Sequence, residues 1–408
     1  MPEIDDQTQL TQSPHYAELS PSAKRQRLQE LALVFLRLGT IAFGGPTAHI
    51  ALIDDEVVKR RRWLSSEKLL DLLGVTNLIP GPNSTELVIH IGYERAGWRG
   101  LLVAGSCFIL PAMLMVWALA AIYARYQTVP TVGWLLYGIK PVIIAVVIQA
   151  LWTLGKKAVN NLPTGIAAVA VTVAFWFGLN EILLLLLAGL GVMLVSNWQH
   201  FRQGNQMAIL LPSSALLTFS SDSPRVATSA ASPASWPQVF LFFLKIGSVL
   251  YGSGYVLLAF LQRELVERTQ WLTSQQLLDA VAIGQFTPGP VFTTATFIGY
   301  LLAGHAGAVA GTIGIFLPAF VLVAVVNPWV PRIRRSAWAS RFLDGVNAAS
   351  LALMAVVTYQ LGKAALVDWL TVLLALLGLV AIFRFKLNSA WLVAAGGLVG
   401  LLSQLWLS

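Results

Sequence analysis

Two Pro-Gly-Pro tripeptides, Pro80-Gly81-Pro82 and Pro288-Gly289-Pro290, stand 208 residues apart, each inside a long stretch that matches the other. Proline fixes φ and removes an amide, glycine admits positive φ, and the residue before a proline avoids the helical region. Each tripeptide must therefore turn or break the backbone. One such break means little, but its duplication makes the chain a fused repeat.

The register holds on both sides of the breaks. Phe35-Leu-Arg37-Leu-Gly39 matches Phe243-Leu-Lys245-Ile-Gly247, Glu56 matches Glu264, Trp63-Leu64 matches Trp271-Leu272, and Asp71 matches Asp279. After the prolines, Gly92-Tyr93 matches Gly299-Tyr300 and Leu110-Pro111 matches Leu317-Pro318 at an offset of 207, so one residue has been lost or gained. Between the halves, Pro212 to Pro237 holds 8 Ser, 5 Ala and 4 Pro without apolar periodicity, as a flexible linker does. The expected division is a polar tail over 1–28, a first membrane repeat over 29–200, a linker over 201–235 and a second membrane repeat over 236–408.

Composition decides the solvent. The chain is 56% hydrophobic and 11% charged, with a mean hydropathy of +0.70, where soluble domains carry about 25% charged residues. Nearly uncharged runs recur at 101–122, 132–154, 162–179, 182–196, 307–327, 342–361, 366–383 and 389–407. Most approach the roughly 17 to 25 residues that a helix needs to cross hydrocarbon. Two more, 31–53 and 239–261, are apolar with one basic residue each considered above, Arg37 and Lys245. The expected fold is an all-α polytopic membrane protein of two homologous helical repeats, with broken or re-entrant half-helices at Pro-Gly-Pro. The polar first 28 residues precede no short apolar run with a cleavage site, so no cleavable signal peptide is expected.

Several function classes drop out. The single cysteine, Cys107, lies in an apolar run and supports neither a disulfide framework nor a thiolate metal cluster. The net charge of +8 comes from residues flanking membrane segments, as interfacial anchors do, so nucleic acid is not an expected partner. With 19 acidic residues, 5 histidines and no nucleophile motif or phosphate-binding loop, an enzyme is disfavoured, and no metal or cofactor is expected.

Each tripeptide joins two helical stretches too short to span alone, 65–79 then 83–95 and 273–287 then 291–303. Interrupted segments at corresponding positions of two halves are the best sequence pointer to a transporter's substrate site, although a proline kink or an interfacial turn would leave the same trace. Asn77, Asn83, Ser84 and Thr85 flank the first break, and Gln285, Thr287, Thr293 and Thr294 the second. Neutral hydrogen-bonding groups beside a helix N-terminus suit an anion.

Arg37 and Lys245 occupy equivalent positions in the opening apolar segments, where a cation usually faces an interior or a cavity. Snorkelling is the alternative, because Arg37 lies only about 9 Å into its segment at 1.5 Å per residue. Glu86 and His90 are four apart on one face of the helix after the first break, with Thr294 and Phe297 as counterparts. This titratable pair exists in one half only and can carry a proton; a surface salt bridge is the duller account. Asp71 and Asp279 rank behind them. Phe43-Gly44-Gly45-Pro46 and Tyr251-Gly252-Ser253-Gly254 interrupt the first segments, by unwinding or to allow close packing.

Phe35-Leu-Arg-Leu-Gly, Phe43-Gly-Gly-Pro, Trp63-Leu, Asn77-Leu-Ile-Pro-Gly-Pro-Asn-Ser-Thr-Glu86, Gly92-Tyr and Gly97-Trp-Arg-Gly100 together resemble the chromate ion transporter family, in its long two-domain form, from about residue 30 to the end. The resemblance implies a bacterial inner-membrane protein that exports chromate, a tetrahedral dianion, using the proton gradient. Arg37, Lys245, Gly44, Gly45 and the Pro-Gly-Pro helix starts would contact the anion, and Glu86 or His90 would couple protons. The expected partners are chromate or a similar oxyanion, protons and the lipid bilayer, with a homodimer admissible. A passive oxyanion channel or a sulfate-type transporter is the alternative.

Parity agrees with the family's inverted halves, since five crossings per half would invert the second. Charge does not agree so simply. Lys24, Arg25 and Arg27 place the N-terminus inside, and a crossing at 31–53 would then export Lys59-Arg60-Arg61-Arg62. Either the N-terminus lies outside or the first segment is re-entrant with its tip at Gly44 to Pro46, and the second is preferred because the break falls where a hairpin tip would.

Overall fold

The computed structural model describes residues 16–43, 45–76, 79–127, 129–197, 234–251, 256–326, 337–387 and 389–407, among which every regular element is a helix. The 201–235 linker falls almost wholly outside the described residues, as do Gly44, Asn77 and Gly252 to Tyr255. The first half runs α1 (Pro21–Ile41), α2 (Gly45–Ile53) passing into a π-helical turn (Asp54–Arg60), α3 (Ser66–Thr76), α4 (Asn83–Tyr126), α5 (Pro130–Ala158), α6 (Leu162–Trp176) and α7 (Glu181–Ser196). The second half repeats the order: α8 (Trp236–Val249), α9 (Leu257–Leu261) with its π-helical turn (Gln262–Arg268), α10 (Ser274–Phe286), a 3₁₀ turn (Val291–Thr293) leading into α11 (Thr294–Val326), α12 (Ala337–Ala365), α13 (Trp369–Phe385) and α14 (Ser389–Leu407).

Local signals are duplicated along with the sequence. Asn161 and Asp368 each close a capping box, with Thr164 and Thr371, and start α6 and α13. The chain reverses inside α4 and α11. Ala96-Gly97 and Ala303-Gly304 leave helical φ/ψ, with both glycines at φ +60°. Residues 92 and 100 would stand about 12 Å apart along a straight helix. Instead a Cβ placed on Gly92 would lie 2.3 Å from the Gly100 carbonyl oxygen, and one on Gly299 would lie 2.1 Å from that of Gly307. Each long helix is thus a close-packed hairpin whose first arm starts at Pro-Gly-Pro.

The halves interlock. Within each, the opening helix packs on the hairpin, α1 on α4 and α8 on α11; between them, α4 packs on α11. The first half's closing pair α6 and α7 covers α12, and the second half's α13 and α14 cover α5. The second arms of the hairpins run antiparallel side by side. At one end Trp117 Nε1–H donates to His305 Nδ1 at 3.0 Å, and towards the other Gly105 lies against the Phe320 ring. A buried charge pair ties α4 and α5 to α10, with Lys140 Nζ on α5 3.0 Å from Asp279 Oδ1 on α10 and the Tyr123 hydroxyl of α4 donating to Asp279 Oδ2 at 2.7 Å.

Among the described residues, four helical stretches are long and apolar enough to cross a membrane, the hairpins Asn83–Tyr126 and Val291–Val326 and the helices Thr131–Ala158 and Trp338–Ala365. Five shorter apolar helices accompany them among the described residues. On α6 the outward side chains Leu162, Ile166, Val169, Val173 and Trp176 are exposed, while Thr164, Val171 and Phe175 are buried. An apolar ridge facing outward is costly in water and suited to lipid. The chain is a multi-pass membrane protein.

Two consequences can be measured by thermal unfolding in detergent. Gly92→Ala drives a methyl into the Gly100 carbonyl and is expected to cost about 1–3 kcal/mol, whereas Gly191→Ala, with nothing within 4 Å of the added carbon, is expected to be neutral. Lys140→Met strands the buried Asp279 carboxylate and is expected to cost about 3–5 kcal/mol, most of it recovered by adding Asp279→Asn. A silent Lys140→Met would mean that Asp279 is not held as an anion.

Candidate functional site

A helix leaves its last carbonyls without helical partners, and hydrocarbon offers no water to satisfy them. Here the two breaks solve the problem for each other. The C-cap of α1 is Ala42 and that of α8 is Leu250, its counterpart. Gly289 N–H donates to the Ala42 carbonyl and Gly81 N–H to the Leu250 carbonyl, both at 2.8 Å. Each Pro-Gly-Pro segment therefore closes the broken opening helix of the other half. Gly81 and Gly289 have φ of +145° and +96°, values that L side chains rarely adopt. The fit is close: a Cβ on Gly289 would sit 2.6 Å from that of Ala112 and 3.2 Å from the Gly39 carbonyl oxygen, while one on Gly81 would face Ala319, the Ala112 counterpart.

The flanking hydroxyls differ between halves. Pro82 caps α4 and Pro290 precedes the turn into α11. After the second break, Thr293 donates to the Pro290 carbonyl at 2.7 Å and Thr294 to that of Val291 at 2.8 Å. After the first, Thr85 and Glu86 are fully buried, with no hydrogen-bond partner for Thr85 Oγ1 or either Glu86 carboxylate oxygen among the described residues. His90, one turn beyond Glu86, is also fully buried. Gln285 is buried, Asn83 half-buried, and Pro80, Gly81, Pro82, Pro288, Gly289 and Pro290 lie in the junction.

A residue absent from the sequence reading completes the first half. His49 on α2 is buried, with Nε2 3.0 Å from the Ala42 carbonyl oxygen and Nδ1 3.3 Å from Ser84 Oγ. A carbonyl only accepts, so a neutral His49 carries its proton on Nε2 and Ser84 donates to Nδ1. The Ala42 carbonyl thus receives Gly289 from one half and His49 from the other. The counterpart of His49 in the second half is Leu257. An ionisable side chain in an apolar segment was the available signal, as it was for Arg37.

The structure does not bring Arg37 or Lys245 to the tripeptides. Both side chains are exposed. Arg37 lines an open cleft with Leu33, Leu36, Thr40, Glu56 and Arg61. There Glu56 is taken by Arg60 at 2.9 Å and Arg61 at 2.8 Å, and the Arg61 hydrogen bond holds its carboxyl below the ordinary range. No carboxylate pairs with Arg37 among the described residues. In the second half Thr269 replaces Arg61, and Glu264 pairs with Lys245 at 3.4 Å and Arg268 at 3.2 Å. Equivalent cations therefore differ in availability. Gly45 opens α2, next to this break.

The comparisons with known proteins accord with this duplicated architecture. The family described as "Chromate transporter" matches twice, over residues 29–193 and 237–401. The chromate transport protein of Cupriavidus metallidurans is 32% identical over 394 residues, covering 94% of each chain. The probable chromate transport protein of Synechococcus elongatus is 29% identical, covering 92% of this chain and 95% of its own, and the chromate transport protein of Pseudomonas aeruginosa is 30% identical, covering 90% of each. No solved structure matches. With two copies of that unit over residues 29–193 and 237–401, the chain belongs to the chromate transporter family.

Proposed function

We propose that this chain is a secondary active transporter that exports chromate from the cytoplasm across a bacterial inner membrane, drawing on the proton gradient. The observation that carries the reading is the reciprocal pair of bonds from Gly81 to Leu250 and from Gly289 to Ala42. Two interrupted helices from each half meet at one buried junction, the arrangement in which repeat-built transporters hold their substrates. The antiparallel second arms of α4 and α11 support halves of opposite orientation, about 29–200 and 236–408.

In this reading the oxyanion binds beside the first turns of α4 and α11, where helix dipoles, first-turn amides and the Thr85 hydroxyl replace its hydration shell. Arg37 draws the anion to the cleft, and Glu86 or His90 exchanges the proton. Alternating access follows from rocking one half against the other about the shared junction. The names of the relatives supply chromate as the substrate, and a tetrahedral dianion fits a site built from amides and helix starts.

Labelled chromate uptake into inside-out vesicles tests this directly. An imposed proton gradient is expected to raise uptake above the equilibrium level. Arg37→Gln is expected to weaken uptake about 10- to 100-fold at limiting chromate, the worth of a hydrogen bond to a charged group. Lys245→Gln, already neutralised by Glu264 in the structure, is expected to do less. Uptake that never exceeds equilibrium would indicate a passive pathway, and unchanged uptake in both variants would remove the two cations from the anion's route.

A further inference from the structure

The two halves share a fold but not a burial pattern. In the second half α10 packs on α5, α12 and α14, and α9 packs on α12. In the first, α2 and α3 pack on α4 and on the turn between them, and no packing of that extent joins them to α5, α7 or α12 among the described residues. Equivalent side chains register the difference. Leu278 of α10 is 0% exposed and Leu70 of α3 is 66% exposed, and Ala259 of α9 is buried where Ala51 of α2 is exposed.

The clefts divide in the same way. The second half's version of the Arg37 cleft, lined by Lys245 and Glu264 where the first has Arg37 and Glu56, encloses about 10 Å³ against about 390 Å³. Glu181 and Ile182, the first two residues of α7, close it. Arg263 holds them there, with Nε 2.8 Å from Glu181 Oε1 and the guanidinium donating to the Gly178 carbonyl at 2.6 Å. At the start of α10, Gln275 donates to the Ala364 carbonyl of α12 at 2.8 Å.

The first half carries the matching parts of such a closure, held apart. Asp55 is the counterpart of Arg263 and Glu67 that of Gln275. Lys386 follows α13 at φ +53° as Gly178 follows α6 at φ +82°, Ser389 opens α14 as Glu181 opens α7, and Lys157 is the counterpart of Ala364. Each polar contact of the closed half therefore maps onto an acid and a lysine in the open one: Asp55 with Lys386, and Glu67 with Lys157. All four are exposed, and no ion pair joins either couple among the described residues; Asp55 faces Lys59 of its own turn at 3.7 Å.

We propose that this structure is one of two end states and that in the other the start of α14 closes the Arg37 cleft, with Asp55 paired to Lys386 and Glu67 to Lys157, while α9 and α10 come away from α5, α12 and α14 and the Lys245 cleft opens. This rests on the transport reading and gives its rocking motion two end points. Because the second arms of α4 and α11 run antiparallel, the two clefts lie at opposite ends of the molecule, and exchanging which one is closed alternates access to the shared junction. The exchange is close to balanced, since the faces of Leu70 and Leu278 trade burial and exposed ion pairs are weak enough to be swapped. It also parts Lys140 from Asp279, whose counterparts Asn347 and Asp71 carry one charge rather than two, so the state seen here is the more strongly latched.

Paired cysteines in the full-length protein test this in membrane vesicles, in a Cys107→Ser background. A disulfide forms only when the two Cα atoms come within about 7 Å. Asp55→Cys with Lys386→Cys and, separately, Glu67→Cys with Lys157→Cys are expected to oxidise to a bond within one chain, to lose chromate movement when bonded and to regain it on reduction. Without any cross-link, Asp55→Lys is expected to slow chromate movement and the added Lys386→Asp to restore it, a rescue that only direct pairing gives. Bonds between two chains instead of within one would assign the exposed α2–α3 face to a second copy and overturn the exchange. Failure of both pairs to bond, with no rescue by charge reversal, would overturn it as well. Bonds within one chain in vesicles whose native protein moves no chromate would uphold the exchange and remove the transport reading.

Discussion

Two backbone hydrogen bonds hold the account together. The amide of each Pro-Gly-Pro glycine closes the open carbonyl end of the other half's first helix. In an apolar setting an unmatched carbonyl costs what it would have gained from water, so each break leans on the other's amide, with His49 a second donor to Ala42 in the first half. Each half supplies what the other lacks. That dependence explains why the tripeptide occurs twice, why its glycine needs positive φ, and why small residues such as Ala112 and Ala319 line the approach.

On this symmetric frame the chemistry is unequal. The first half places His49, Ser84, Thr85, Glu86 and His90 around its break, where the second has Leu257 opposite His49 and threonines whose hydroxyls are turned onto their own backbone. The outer cations diverge in the same sense. Glu56 is shared by Arg60 and Arg61, which leaves Arg37 facing an open cleft, whereas Glu264 engages Lys245. A duplicated scaffold supplies the geometry, and the ionisable groups at the break stand in one copy. Sequence drift in the second half then need not disturb the junction, because its contribution is carried by backbone.

Much of this was legible from the chain. Repetition, helix content and the breaks at Pro-Gly-Pro follow from local rules: proline and glycine act on their own backbone, and the Asn161 and Asp368 caps act within one turn. What the breaks pair with was not legible, because Gly81 and Leu250 meet only through the packing of two halves. The different pairing of Arg37 and Lys245, which occupy equivalent sequence positions, was not legible for a similar reason. Whether each is free depends on position 61 or 269, arginine in one half and threonine in the other, and on which cation reaches a shared glutamate. His49 was missed because a lone histidine in an apolar stretch carries no spacing pattern, although its membrane setting was itself a signal. Glu86 and His90 were singled out from their spacing, but the approach of the Glu86 carboxyl to Gly81 depends on how the chain turns at the break.

The central claim is that the oxyanion sits where the two tripeptides meet. Anomalous scattering at the chromium edge, recorded from crystals of the full-length protein grown with chromate, locates the metal atom directly. The account predicts one strong peak between the helix starts that follow Pro82 and Pro290, within reach of Ser84 and Thr85. A peak in the Arg37 cleft with none at the junction would contradict it.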